Sequence, residues 1–198
     1  MAELLGFLWG FSPWILFGIM AEPPLQRLEL AVMICLALSL ASGAGKLRKG
    51  FVLTWGTVVF FVAVFIAVNL LKNVWAMKHL GVLANGSLAL IAWGGLILGK
   101  PFVLQYAKEA TPREFWDRPE LLRAGTHLTV MWGLLFLLST GFALYKQGHR
   151  DLAPWVSHLM GLGPVAFGVT YTQIYKGRAR RQRELAMAGR NPGTGTGN

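Results

Sequence analysis

Residues 51–71 read FVLTWGTVVFFVAVFIAVNLL, an apolar run of 21 residues that contains no charged side chain. A helix of that length is about 32 Å long and therefore matches the hydrocarbon core of a bilayer. The apolar residues form one block and do not alternate with polar ones, which is typical of a helix surrounded by lipid and by other apolar helices. This stretch predicts a membrane-spanning helix.

Five further apolar blocks predict the same structure. The six predicted spans are residues 4–20, 28–44, 51–71, 81–99, 128–145 and 154–175. The first two contain 17 residues each, about 26 Å, so they are marginal and need local thinning of the bilayer or help from flanking residues. Helix breakers are predicted to separate the spans: Glu22-Pro23-Pro24, Gly43-Ala44-Gly45-Lys46 and Gly99-Lys100-Pro101. The predicted fold class is all-α, a polytopic integral membrane protein with about six transmembrane helices.

The composition agrees with this fold class. The 198 residues are 54% hydrophobic and 14% charged, with a mean hydropathy of +0.48, whereas a soluble domain carries roughly 25% charged residues. The single cysteine, Cys35, lies in an apolar block and is interpreted as a small packing residue, so no disulfide within the chain is expected. The first segment lacks the basic start and the cleavage site of a signal peptide, and we expect it to be retained.

The basic residues predict the orientation. With the amino terminus inside, residues 45–50, 100–127 and 176–198 face the cytoplasm and hold 14 of the 19 lysines and arginines, and the outer segments hold 5. This bias places both termini in the cytoplasm. The net charge of +10 is assigned to contacts with anionic lipid headgroups at the cytoplasmic face and not to nucleic acid. Residues 1–176 are predicted to form the transmembrane domain and residues 177–198 a basic, disordered cytoplasmic tail.

The connector between the fourth and fifth spans mixes aromatic and charged residues. Thr111-Pro112-Arg113-Glu114 has the form of a capping box, and Asp117-Arg118-Pro119-Glu120 repeats the pattern. These motifs predict short amphipathic helices that lie on the inner leaflet. Two interpretations stay open: the connector only anchors the surface, or it binds a partner or a ligand.

One face of the connector carries more than lipid anchoring requires. Phe102, Gln105, Tyr106 and Glu109 share a helical face at spacings of three and four residues. We therefore predict that this face packs under the bundle and contacts its inner mouth or a partner, whereas Lys108 points away.

Further candidate residues are polar or aromatic groups at span ends or inside spans. Asn69 and Asn85 are predicted to hydrogen-bond to each other or to line a small polar cavity. His127 is interpreted as a cap of the fifth helix. The binding candidates are Lys100, Gln105, Tyr106, Trp116, His127, Trp132, Asn69 and Asn85. No catalytic residue, metal site or cofactor is predicted.

The aromatic and proline positions add structural expectations. Trp14, Trp75 and Trp155 are predicted to lie in the belt at the outer membrane interface. The deeper Trp93 and Trp132 are predicted to face one another or a ligand. Pro164 is expected to kink or loosen the sixth span.

Three sequence features together resemble one protein family. They are KPFVLQYA at residues 100–107, Phe115-Trp116, and WGLLF at residues 132–136. This pattern resembles the intracellular septation protein A group and related uncharacterised bacterial inner-membrane proteins, over residues 80–145. The resemblance implies the bacterial inner membrane and a cell-envelope role through contacts with division or elongation machinery. It implies no catalytic residues. The sixth span and the long basic tail depart from the five spans of that group.

The sequence favours a non-enzymatic envelope role, because Walker, HExxH, GxSxG and CxxC motifs are all missing from it. One alternative is a small-solute carrier or channel. Another is an enzyme that acts on lipid at the inner face, with His127 as acid or base. The expected partners are the bilayer and its anionic headgroups, together with other membrane proteins or a second copy of the chain.

Overall fold

The computed structural model describes residues 2–20, 25–149 and 153–188, and every regular element in these ranges is helical. The elements are α1 (Ala2–Met20), α2 (Leu25–Arg48), α3 (Val52–Phe65) with a following π-helical turn (Ile66–Leu70), α4 (Val74–Lys78), α5 (Leu80–Ile97), α6 (Phe102–Glu109), a 3₁₀ turn (Arg113–Phe115), α7 (Pro119–Gly148) and α8 (Pro154–Ala188). The all-α fold class is confirmed.

Four of the described helices are long and apolar enough to cross a membrane. They are Gln26–Arg48, Val52–Leu70, Leu80–Ile97 and Pro119–Gly148, and a shorter apolar helix covers Gly10–Met20. Large apolar side chains project from their outer faces: Leu90 is 75% exposed and Ile97 is 84% exposed. Contiguous apolar surface of this kind is unfavourable in water and favourable in lipid. These features fit a transmembrane protein.

Glycines with positive φ mark two of the helix ends. Gly99 (φ 66°) follows α5, and the Lys100 N–H donates to the Gly95 carbonyl at 2.7 Å, which confirms the predicted break there. The predicted break at residues 43–46 is wrong, because α2 continues to Arg48 and Gly50 (φ 71°) ends it. Gly43 instead permits close packing, since a Cβ there would lie 2.7 Å from the Thr54 methyl carbon. The predicted break at residues 22–24 lies outside the described residues.

The predicted capping box at Thr111 is wrong. The Thr111 hydroxyl donates back to the Ala107 carbonyl at 2.7 Å, and the residues that follow form only the 3₁₀ turn. The second motif is confirmed in part, because Pro119 occupies the first turn of α7, although Arg118 and not Asp117 precedes the helix. With 30 residues, α7 is about 45 Å long. It therefore begins well before the predicted span 128–145 and extends beyond the thickness of a bilayer core.

The last helix is also longer than its predicted span. α8 contains Pro164 and continues to Ala188. Residues 177–188 are consequently helical, where the sequence predicted a disordered tail from residue 177. Residues 189–198 lie outside the described part of the chain.

The core is an aromatic cluster organised around α1. The Phe11 ring stacks on Trp132 of α7 at 5.9 Å, and the Trp14 ring stacks on Phe60 of α3 at 4.7 Å. The Trp14 indole N–H also donates to the Thr57 hydroxyl at 2.9 Å. Aromatic pairs of this geometry add about 0.5–1.5 kcal/mol each beyond burial. The interface prediction is therefore wrong for Trp14, which is buried in the core.

Trp75 and Trp155 remain accessible at the ends of their helices. Their side chains are 60% and 69% exposed. Both are therefore free to lie at a membrane interface, where an indole ring is favoured.

Candidate functional site

The helix α6 packs across one end of the bundle, here called the α6 end, beside the turn between α2 and α3 and the start of α7. Phe102 is fully buried and meets the Phe11 ring at 6.1 Å, and Tyr106 is 8% exposed. The prediction that this face packs under the bundle is confirmed.

Gln105 joins α6 to the start of α3. Its Oε1 accepts a hydrogen bond from the Val52 N–H at 2.9 Å, and its Nε2 donates to the Gly50 carbonyl at 3.3 Å. Val52 is the first residue of α3, and such an N–H has no partner within its own helix. Gln105 therefore acts as a cap supplied by another helix. The ion pair between Lys49 and Glu109 at 2.6 Å adds a second, exposed link.

Tyr106 fills the space between α1, α2 and α3. Its ring meets Phe51 edge-to-face at 5.2 Å, and the Lys46 ammonium lies 4.5 Å from the ring centroid. A Cβ on Gly10 would lie 2.5 Å from the phenol oxygen, so a larger residue there would force the Tyr106 ring to move. Burial raises the pKa of Tyr106, with a hydrogen bond from Thr54 opposing the shift. The phenol is neutral at physiological pH.

Trp116 contacts several other residues of the connector between α5 and α7. Its indole N–H donates to the Thr111 carbonyl at 2.9 Å. The Lys108 ammonium and the Arg113 guanidinium each lie 5.7 Å from the Trp116 ring centroid. Lys108, which the sequence predicted to point away, therefore folds onto Trp116, whereas the Lys100 side chain is exposed.

Gln105→Ala is expected to lower the free energy of unfolding by about 1 kcal/mol, because α3 loses its cap. Gln105→Glu retains an oxygen acceptor for the Val52 N–H and is expected to keep most of the stability. Thermal unfolding of the detergent-solubilised protein measures both. Equal melting temperatures for Gln105→Ala and the parent would show that the bond contributes nothing.

His127 and Trp132 face α8. His127 lies inside α7, so the prediction that it caps this helix is wrong. Its Nε2 lies 2.9 Å from the Tyr171 hydroxyl oxygen, and its ring stacks on Tyr175 at 5.4 Å. The Trp132 indole N–H donates to the Thr172 hydroxyl at 3.2 Å.

Trp93 is in a different environment from Trp132. It packs against α7 at Gly133, and its indole N–H is buried without a hydrogen-bond partner among the described residues. Trp132 instead stacks on Phe11.

Asn69 and Asn85 do not hydrogen-bond to each other, contrary to one prediction. Asn69 Nδ2 donates to the Glu29 carbonyl at 3.2 Å, and Asn85 Nδ2 donates to the Gly81 carbonyl at 2.8 Å. The alternative prediction is confirmed for Asn85, which lines a polar cavity. Asn69 lies elsewhere, in the π-helical turn.

This cavity lies between α5, α7 and α8, at the end of the bundle opposite α6, here called the far end. Its volume is about 270 Å³. It is lined by Lys78, Gly81, Asn85, Ser139, Phe142, Ala143, Lys146, Gln147, Met160 and Gly161. The Gln147 amide donates to the Lys78 carbonyl at 3.4 Å and links α7 to α4 beside the cavity.

Ser139 is the most buried polar residue of the cavity lining, with 6% exposure. Thr129, Thr140 and Thr172 each donate their hydroxyl to the carbonyl four residues earlier. The Ser139 hydroxyl makes no such bond to any residue that the structure describes. Ser139 is therefore a buried polar residue of the lining whose hydroxyl makes no described hydrogen bond.

The sequence interpretation missed Ser139, Lys78, Lys146 and Gln147. A serine inside an apolar span is a signal of the kind that singled out Asn85. The two lysines, which end α4 and lie near the end of α7, resemble ordinary span-end residues in the sequence.

In the part of the chain that the structure describes, no three His, Cys, Asp or Glu side chains converge as a metal site would require. Comparison with protein-family models, with curated proteins and with solved structures finds no match to this chain. The chemistry of the two bundle ends is therefore the basis for a functional proposal.

Proposed function

We propose that this chain is a six-span protein of the bacterial inner membrane with a non-enzymatic role in the cell envelope, where it acts through contacts with partner proteins. Both termini and the α6 end lie in the cytoplasm. The 14-to-5 distribution of lysine and arginine supports this orientation. Four of the described helices are long and apolar enough to cross a membrane, and the other two spans of the proposal rest on the apolar blocks at residues 4–20 and 154–175.

The observation that carries the proposal is that the polar side chains at the α6 end bind other parts of the same chain. Gln105 caps α3, and Glu109 pairs with Lys49. The Trp116 indole N–H donates to the Thr111 carbonyl within the connector. An active site at this face would need such groups available to a substrate. Gln105 faces α3 and His127 faces α8, so the two groups do not form one site for a lipid headgroup. These polar side chains hold the connector, residues 100–118, against the bundle and within itself.

The resemblance of residues 80–145 to the septation group supports the envelope assignment. The matching residues include Lys100-Pro101 and Phe115-Trp116 of the connector and Trp132 of the core. The exposed side chains around them, Arg113, Glu114 and Asp117, are available to a partner. Anionic headgroups are the expected lipid contact of the same basic face.

A second candidate function is favoured by the far-end cavity. A polar space of about 270 Å³ between three helices is close to the size of a small-ligand pocket. It supports a carrier that binds a small solute from the far end, which is the periplasmic side in the proposed orientation. The aromatic packing of Phe11, Phe102 and Tyr106 at the other end disfavours an open channel.

Deletion of the gene in its own bacterium, with measurement of cell length and of sensitivity to detergent, tests the envelope role. We expect altered cell length or increased detergent sensitivity, restored by the parent gene. Reconstituted vesicles that contain the purified protein provide the counter-test. Normal length and resistance in the deletion strain, together with solute uptake or lipid turnover by the vesicles, would overturn the envelope role.

A further inference from the structure

The last helix continues past the level at which it packs on α7 at the α6 end. The Tyr175 ring stacks on His127 at 5.4 Å, and tyrosine favours the boundary between hydrocarbon and headgroups. Helix α8 then continues to Ala188, and residues 176–188, here called the α8 extension, add about 20 Å. The headgroup layer of one leaflet is roughly 5–8 Å thick. In the proposed six-span arrangement, the α8 extension therefore reaches through the headgroups into the cytoplasm.

The α8 extension is polar around its whole circumference. The Arg178 and Arg181 side chains are exposed. Its two large apolar residues, Leu185 and Met187, are two positions apart in the sequence and so lie about 160° apart around the helix axis. A helix that rests on a membrane or packs on a bundle needs an apolar face. The sequence of the α8 extension has no such face, so this segment is suited to contact polar groups of another molecule.

The charge of the cytoplasmic face stays positive however its side chains are paired. In the proposed orientation this face holds 14 lysines and arginines and six acidic residues, an excess of eight positive charges that follows from the sequence alone. The six acidic residues are Glu3, Glu109, Glu114, Asp117, Glu120 and Glu184. Residues 176–190 contribute six of the basic residues and only one of the acidic ones. The α8 extension therefore attracts a partner of negative charge.

We infer that the α8 extension is a docking site for an acidic segment of a cytoplasmic protein, with Arg178 and Arg181 among its contacts. The inference rests on the proposed function and names the chemistry of the partner. The planar guanidinium group of arginine matches a carboxylate with two parallel hydrogen bonds. Lipid headgroups fit less well, because the extension passes beyond them. Single-stranded nucleic acid is disfavoured because its bases stack on aromatic side chains, and Tyr175 is the last aromatic residue of the sequence.

Binding of a fluorescent ten-residue glutamate peptide to the full chain in phosphatidylcholine nanodiscs tests the site. Fluorescence anisotropy is expected to show saturable binding that weakens as salt is added. Arg178→Gln with Arg181→Gln is expected to weaken the affinity about tenfold, because two charge-assisted contacts are lost. Arg178→Lys with Arg181→Lys keeps the charge and is expected to lose less. Absence of saturable binding to the parent chain overturns the proposal.

A matched double variant separates the α8 extension from the general charge of the same face. Arg48→Gln with Arg118→Gln removes the same charge from two exposed positions, at the end of α2 and immediately before α7. Its affinity for the peptide is expected to stay within about twofold of the parent. If it loses as much affinity as Arg178→Gln with Arg181→Gln does, the binding is non-specific and the proposal fails.

Two further arms test the other occupants. A ten-nucleotide single-stranded RNA that binds more tightly than the peptide would overturn the proposal in favour of nucleic acid. Trypsin cleavage after Arg178 and Arg181, detected by mass spectrometry, is expected at similar rates in phosphatidylcholine and phosphatidylglycerol nanodiscs. Strong protection in phosphatidylglycerol alone would show that headgroups hold the extension and would equally overturn the proposal.

The peptide measurement and the deletion phenotype fail separately. A normal deletion strain would remove the envelope role, but peptide binding that the α8 double variant loses would still establish the docking site. A deletion phenotype without peptide binding would retain the envelope role and remove the site.

Discussion

Gly125→Val is expected to force α6 away from α7 and to lower the free energy of unfolding by about 3 kcal/mol, or roughly 10 °C in melting temperature. A Cβ at Gly125 would lie 2.6 Å from the Leu104 Cβ and 2.9 Å from the Leu104 Cα. Because one of these contacts is with backbone, a change of side-chain rotamer cannot relieve the overlap. The single buried cysteine, Cys35, offers a readout, since a thiol-reactive dye labels it only on unfolding.

Gly141→Val is the matched control for this substitution. Gly141 lies on the same helix and is exposed, and a Cβ added to it would meet no atom within 4 Å. Its replacement carries the same change in helix propensity and is expected to leave the melting temperature close to that of the parent. Equal losses in the two variants would show that α6 does not pack on α7 as described.

Trp132→Ala is expected to lower the free energy of unfolding by about 3–5 kcal/mol. The Trp132 side chain is 2% exposed, stacks on Phe11 and donates to Thr172. Its removal leaves a cavity between α1, α7 and α8 and takes away the hydrogen bond that the Thr172 hydroxyl accepts. Thermal unfolding followed through Cys35 labelling measures the loss.

Two controls identify the cause of that loss. Trp132→Phe keeps an aromatic ring at the Phe11 contact and is expected to lose about half as much stability, roughly 2 kcal/mol. Trp155→Ala removes an indole that is 69% exposed and is expected to change the melting temperature little in detergent. A loss from Trp155→Ala as large as that from Trp132→Ala would contradict the assignment of Trp132 to the core.

The apolar helices were predictable because hydrocarbon imposes one simple requirement on sequence, a long apolar block. The ends of the helices were harder to predict, as the end of α2 illustrates. Gly43 and Gly50 are both glycines near a lysine, but Gly43 contacts Thr54 within the helix packing and Gly50 adopts a positive φ. Which role a glycine takes depends on a neighbouring helix, and a local pattern does not contain that information.

The α6 face was predictable because its pattern is local. Gln105 and Tyr106 lie about one helical turn from Phe102, so helical periodicity alone places them on one face. The cavity lies between α5, α7 and α8, with Lys78 of α4 at its edge, and its composition depends on how these helices are rotated. Asn85 was singled out by its chemistry, but its expected partner Asn69 was wrong. The helices α3 and α5 do touch, at Gly56 and Ile91, but Asn69 follows α3 and donates to the Glu29 carbonyl of α2.

Trp14 shows the limit of a rule based on position along the span. A tryptophan near a span end is usually an interface residue, but this indole has a buried acceptor in Thr57 and a ring partner in Phe60. The hydrogen bond removes the need for interfacial water. Trp155 is exposed and keeps its interface position as a prediction.

Reporter fusions along the chain test the central claim, a six-span protein with its α6 end in the cytoplasm, most directly. A reporter that distinguishes the periplasm from the cytoplasm is placed after Arg48, Lys72, Arg113, Gly148 and Asn198. The account predicts a cytoplasmic signal at Arg48, Arg113 and Asn198 and a periplasmic signal at Lys72 and Gly148. A periplasmic signal at Asn198 or at Arg113 would contradict it.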